Sequence, residues 1–383
     1  MSPGVYIEEI ETGAKPIEGV NTSTTGMVGL TQKGPLNQPT LVTSFSEFQR
    51  LFGGYLDTSY GDYRYLPHAV EGFFQNGGKR VYINRVAVTG GVVSDETIIG
   101  KDSSEPSQRT GLWAFNGFDE IKILAIPNGA TQKIHNAMIK HCENLKNRFA
   151  VLDPQKCATL DAIRNQRSLY NSSYAALYYP WIKIRHPETG EILSIPPSGH
   201  ICGIYARTDL QRGVDKAPAN EVIEGVLGPE QQIPKAQQDM LNPLGVNCLR
   251  EFSGRGFRVW GARTTSNDPL WKYINLRRLF LYLEESIEKG TQWVVLEPNN
   301  EKLWARVKQI VSQFLTTVWK GGALMGTTPE QAFFVKCDRN TMTQDDIDNG
   351  RLIMLIGVAP VKPAEFVLFR IAHWKGGSAA AQF

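Results

Sequence analysis

Between residues 121 and 184 short apolar runs alternate with helical ones, and that alternation limits the folds open to the chain. Residues 121–126 (IKILAI) read as an apolar strand, 132–147 as a helix and 148–152 as a strand. A helix over 156–167 and a strand over 174–184 follow. Strand and helix repeating at this interval argue for a parallel sheet, because parallel neighbours need a long crossover connection. At 383 residues the chain is too long for one small core, so two or three domains are expected.

Composition shifts suggest where they divide. Gly, Ser, Asp and Thr dominate residues 89–117, and a Pro/Gln-rich stretch runs to Leu244. The expected division is a strand arm and linker (1–22), an α/β region (23–100) and a middle α/β domain (101–245). A C-terminal domain (246–364) and a second arm with a tail (365–383) complete it. In the first region a strand, a Gly-Pro turn and a second strand lead to a helix opened by Ser44 or Ser46 and closed by Gly53 and Gly54. A helix over 66–76 and a strand over 79–86 follow. The glycines there belong to turns, since the GxxxxGK[ST] order of a phosphate loop is missing.

In the C-terminal domain, Asp268 followed by Pro269 marks a helix start. Ile274, Leu276, Leu279, Phe280, Leu283 and Ile287 recur at helical spacing as far as Gly290, and 292–296 reads as a buried strand. Leu303, Val307, Ile310, Val311, Phe314, Leu315 and Val318 form the stripe of a second amphipathic helix stopped at Gly321 and Gly322. Strands are expected at 333–337, 351–358 and 365–374. The first twenty residues hold a strand over 4–10, followed by Gly13, Pro16 and Gly19. A strand with no hairpin partner nearby either adds to a neighbour's sheet edge or frays.

Candidate chemistry is sparse. Asp153 follows a strand, where an α/β sheet places its ligands, and serves equally well as a helix cap or as part of an Asp-Pro turn. Asp153, His200 and Ser253 occur in the order of a hydrolase triad, but Ser253 lies in FSGRG, without a small-residue helix start to present it. His200 and Cys202 alternate on an expected strand; no second ligand pair accompanies them, as structural zinc would need. Residues 345–350 hint at a calcium loop that lacks its twelfth-position Glu. Arg207, Asp209 and Arg212 read as an ion-pair set fixing a long loop. No metal or cofactor is expected. Five dispersed cysteines without a CxxC pair suit buried, reduced thiols. A net charge of +3 without a basic stripe gives no nucleic-acid footprint. Neither a signal peptide nor an apolar run of the roughly 18 residues that span a membrane is visible.

Several segments carry a family likeness. PGVYIEE (3–9), GMVGLTQKGP (26–35), LYYPW (177–181), PPSGH (196–200) and RGVDKAPAN (212–220) precede VWGART (259–264), WKYINLRR (271–278) and QWVVLEPN (292–299). In order and wording they resemble the subunits of contractile tail sheaths, and the resemblance runs to PAEFVLFRI (363–371). It implies a multi-domain α/β chain with α+β elements. The parallel-sheet middle domain would be subtilisin-like in fold without a catalytic site, and extended arms would stand at both ends. It also implies a non-enzymatic subunit that polymerises as stacked hexameric rings around an inner tube, and that contracts to drive the tube through a target envelope. The expected partners are further copies, the inner tube, the baseplate and terminator or cap proteins, with no nucleic acid and no membrane insertion. Such a subunit is assembled in a bacterial or host cytoplasm as part of a phage tail or tail-like particle, which in some systems is released. Val5, Tyr6, Ile7, Val367, Phe369 and Ile371 are the expected inter-subunit strand residues, and Arg277 and Arg278 are candidates for facing the tube. An α/β hydrolase-like enzyme and a static structural assembly protein are the alternatives.

Overall fold

The alternating segment forms a parallel sheet. The computed structural model describes residues 16–87 and 93–366. The expected arm residues Val5, Tyr6, Ile7, Val367, Phe369 and Ile371 lie outside that range. Strands β1 (Thr25–Gly29), β2 (Thr40–Val42) and β3 (Val81–Arg85) come from the N-terminal region. They are followed by β4 (Ile123–Ala125), β5 (Phe149–Leu152) and β6 (Ala175–Tyr179). A small hairpin unit supplies β7 (Ile182–Arg185), β8 (Ile192–Ile195) and β9 (Gly228–Pro229). Beyond it come β10 (Val246–Phe252), β11 (Gly256–Trp260), β12 (Phe333–Lys336) and β13 (Leu355–Val358).

Eight of these strands make one sheet in the order β11-β10-β6-β5-β4-β1-β3-β2. Six parallel strands, from β10 to β3, are flanked by β11 and β2, each antiparallel to its neighbour. The sheet crosses the expected boundaries at residues 100 and 245. Strands on both sides of each boundary are hydrogen-bonded neighbours, because β1 pairs with β4 and β6 with β10. Successive side chains of a strand face opposite ways, and each face has its own core. Met27, Ile123, Phe149, Val151 and Tyr178 pack under the helices Leu66–Gln75 and Ser198–Arg212. Val28, Leu124, Ala150, Leu152 and Leu177 pack under Gln132–Leu145 and Leu160–Ser168. Helices on both faces explain why the strands are apolar on both sides.

A third core joins the helix Ile274–Gly290 to the helix Glu301–Lys320 and to the antiparallel pair β12–β13. Leu303, Val307, Ile310, Val311, Phe314 and Leu315 are all buried in it, as the helical spacing predicts. Asn300 opens that helix, accepting hydrogen bonds from the N–H groups of Lys302 and Leu303.

Three local expectations are corrected. First, residues 198–212, expected to begin as a strand carrying His200 and Cys202, are helical. Ser198 through Ala206 are all buried, Ser198 and His200 included, so burial runs all round the segment and no amphipathic period marks it. Second, residues 292–296 are not a buried strand. A 3-10 turn, Gln292–Val294, is followed by Val295 and Leu296, which are 72% and 99% exposed. β-propensity measures fit to a half-buried pleat, and no strand pairs with this stretch among the described residues. Third, Asp268 caps only the 3-10 turn Pro269–Trp271, and the long helix starts at Ile274.

Candidate functional site

Asp153 stands just past β5, where the sequence places it, and its partners decide its role. Its carboxylate accepts hydrogen bonds from the Ser198 N–H (2.9 Å), the Ser198 hydroxyl (2.7 Å) and the Asn128 N–H (3.0 Å). It ties the first turn of the helix Ser198–Arg212 to the end of the sheet. His200 is buried in that helix, its ring against Gly72 of the neighbouring helix, and Ser253 is exposed in the β10–β11 turn. Among the described residues no hydrogen bond links Asp153, His200 and Ser253, so the chain order of a triad is not its geometry. No group of three or more His, Cys, Asp or Glu side chains among the described residues could hold a metal ion. Residues Gln344–Asp348 form a helix capped reciprocally by Thr343 and Asp346.

Burial pushes the Asp153 carboxyl up to about 7 against the pull of those three hydrogen bonds. A carboxyl raised above its ordinary value of about 4 is favoured in its protonated form. Its contribution to stability is therefore present below about pH 4 and is lost as the pH rises towards 7, on the order of 2–4 kcal/mol. Asp153→Asn is expected to flatten that slope in urea unfolding measured from pH 4 to pH 8. An unchanged slope would assign it to another group.

Arg277 and Arg278, expected as tube-facing candidates, are instead buried, at 6% and 4% exposure. The Arg277 guanidinium lies 3.5 Å from the Trp271 ring centre and 4.6 Å from that of Tyr174, and its Nε donates to the Ser173 hydroxyl. Arg278 holds Asp209 with two parallel hydrogen bonds, Nη1 to Oδ1 at 2.9 Å and Nη2 to Oδ2 at 2.6 Å. Its Nη2 also donates to the Thr22 carbonyl, and the Thr22 hydroxyl donates to Asp209. Residues three and four apart share a helix face, but adjacent ones do not, and in this helix both guanidiniums find aromatic cover within their own chain. Asp209 pairs with Arg278 and not with Arg207 or Arg212, and it joins a helix to a helix and to the N-terminal linker rather than fixing a long loop. Arg207 donates to the Val222 carbonyl.

The same centre receives the linker. Ile17 is buried in the third core, and Gly19 lies against the Tyr282 hydroxyl so closely that a Cβ there would overlap it. The Val20 N–H donates to the Ser286 hydroxyl at 3.1 Å. The described part of the linker, Pro16 to Gly19, is thus docked along the helix Ile274–Gly290.

The opposite end of the third core is open. β12 and β13 pair only with each other among the described residues, so each has an unpaired outer edge. Val335 is buried, whereas Phe334 (48%) and Leu355 (52%) are exposed on the other face. An isolated two-stranded sheet is marginal in water, and an open edge is a template for another strand. The sequence carries a sign of this in the strand-like runs over 4–10 and 365–374.

Two family models match the chain: the phage tail sheath protein central domain over residues 107–265 and the phage tail sheath C-terminal domain over 266–373. The tail sheath protein of Escherichia phage P2 is 23% identical, over 96% of this chain and 94% of its own. Among solved structures, the helical sheath of the anti-feeding prophage in its contracted state is 31% identical, with a TM-score of 0.78. That match covers 97% of this chain and 99% of the other. The contracted sheath complex of the extracellular contractile injection system PVC is 30% identical, with a TM-score of 0.77 and 97% of each chain covered.

Proposed function

This chain belongs to the phage tail sheath family, and from that we propose that it polymerises around an inner tube as stacked hexameric rings. It is a subunit of a contractile sheath, a component of a phage tail or tail-like particle. The sixfold arrangement has support from a relative, since one similar structure is a sixfold-symmetrised baseplate of the anti-feeding prophage, 31% identical. Contraction drives the tube through a target envelope, and baseplate and cap proteins hold the two ends of the sheath. The driving free energy comes from contacts between copies that have two alternative packings.

The observation that carries this reading is the β12–β13 pair with its two open edges. Val5, Tyr6 and Ile7 of one neighbour and Val367, Phe369 and Ile371 of another supply the added strands, and backbone hydrogen bonds provide the affinity. Co-expression with the inner tube protein, followed by electron microscopy, tests it. The full chain is expected to give striated cylinders with sixfold symmetry. A variant lacking residues 4–10 is expected to stay folded and to form no cylinders. Cylinders from the deletion variant would overturn the strand assignment, and a full chain that stays monomeric beside its tube would overturn the assembly reading.

A further inference from the structure

We propose that Glu365 is the pin that fixes the root of the C-terminal segment to the main sheet unit, so that the segment leaves from a set point. This goes beyond the sheath reading and rests on it for its consequence in assembly.

Glu365 lies in a socket built from three separated parts of the chain. Its Oε1 accepts from Arg263 Nε and from Asn242 Nδ2, both at 2.8 Å. Its Oε2 accepts from Arg263 Nη2 at 2.8 Å and from the Tyr273 hydroxyl at 2.9 Å, with Lys272 Nζ at 3.6 Å. The fork of Arg263 matches the two carboxylate oxygens, the strongest common arrangement for such a pair. Arg263 is itself held in place. Its N–H donates to Asn247 Oδ1 (2.7 Å) and its carbonyl accepts from Asn247 Nδ2 (2.8 Å), and Asn247 is fully buried in β10. The socket is thus preorganised, and a single carboxylate fills it.

The surrounding chain makes that concentration of donors significant. After β13 the backbone is last held where the Val361 N–H donates to the Ala323 carbonyl. From Lys362 to Phe366 the hydrogen bonds among the described residues are all made by the Glu365 carboxylate. Phe366, the next residue, is 71% exposed. One side chain therefore carries the segment from the third core back to the end of the main sheet. Burial opposes its ionisation, yet Arg263, Asn242 and Tyr273 hold the carboxyl down at about 2, so the pin stays charged at any pH near neutrality.

Pinning limits reach. Ile371, six residues beyond Glu365, can lie at most about 20 Å from a fixed root. Releasing Glu365 moves the root back to Val361 and adds slack, which lowers the effective concentration of the segment at a neighbour's sheet edge.

The test uses full-length Glu365→Ala and Glu365→Gln. Chymotryptic cleavage after Phe366 in the isolated protein reads the pin, and the pelleted fraction after co-expression with the inner tube protein reads assembly. The expected result is at least tenfold faster cleavage there, a melting midpoint lowered because Arg263 loses its partner while the protein stays folded at the assay temperature, and a several-fold loss of cylinders. Unchanged cleavage would overturn the proposal, as would faster cleavage with the full yield of cylinders. If Glu365→Ala does not fold, Glu365→Gln, which keeps the shape and loses the charge, carries the same reading. Failure of the unmutated chain to assemble would count against the sheath reading instead, and cleavage alone would then decide the pin.

Discussion

Replacing Asp209 with Ala is expected to destabilise the protein by about 3–5 kcal/mol, because it strands a buried guanidinium. Arg278 and Asp209 side chains are each 3% exposed. With Asp209 gone, Arg278 keeps the Thr22 carbonyl and the face of the Tyr205 ring, neither of which neutralises its charge. The Thr22 hydroxyl loses its acceptor as well, so the linker loosens together with the helices. Urea unfolding with a fixed m-value measures the loss as a lower midpoint. The double variant Asp209→Leu with Arg278→Met should recover most of it, since well-packed apolar groups often replace a buried pair without penalty. A cost below about 1 kcal/mol for Asp209→Ala would place the pair in the range of a solvated surface bridge.

Gly199→Ala and Gly203→Ala are expected to lower stability by about 2–3 kcal/mol each, for a steric reason. The helix Ser198–Arg212 lies almost backbone to backbone on the helix Leu66–Gln75. A Cβ at Gly199 would overlap the carbonyl oxygen and Cα of Ala69, and one at Gly203 would overlap the carbonyl oxygen of Phe73. Backbone atoms cannot turn aside as a side chain can, so the helices must separate, and overpacking of this kind costs about 1–3 kcal/mol or more. Alanine's better helix propensity returns up to about 1 kcal/mol. Gly54→Ala is the control, because its added methyl meets nothing closer than 3.7 Å, and that contact is a side chain. Thermal or urea unfolding of the three variants side by side decides whether closeness, and not glycine as such, matters at 199 and 203.

These two sites also separate what was legible from what was not. The strand–helix alternation over 121–184 and the stripe from Leu303 to Leu315 express themselves within a few residues, and the structure follows both except at Pro180, where the expected strand 174–184 breaks into β6 and β7 of different sheets. Ser44, one of the two caps the sequence offers, does cap its helix, its hydroxyl accepting from the Glu47 N–H. The helix Ser198–Arg212 is not legible because burial on every side erases the period that marks a helix. Residues 292–296 look like a strand, but strand-forming residues become one only where an edge accepts them.

The amino-acid order by itself determined the elements whose signal is short-range: period, caps, turns and the wording of the family segments. It also determined family membership, because eight separate segments keep their order along the chain. Tertiary structure alone decided which charges are neutralised and which edges stay open. Arg278 meets Asp209 across 69 residues and Arg263 meets Glu365 across 102. Adjacent arginines that look alike in sequence are buried against different partners. No local pattern encodes such pairings, since the fold brings the partners together only after the sheet has set the distance between its layers.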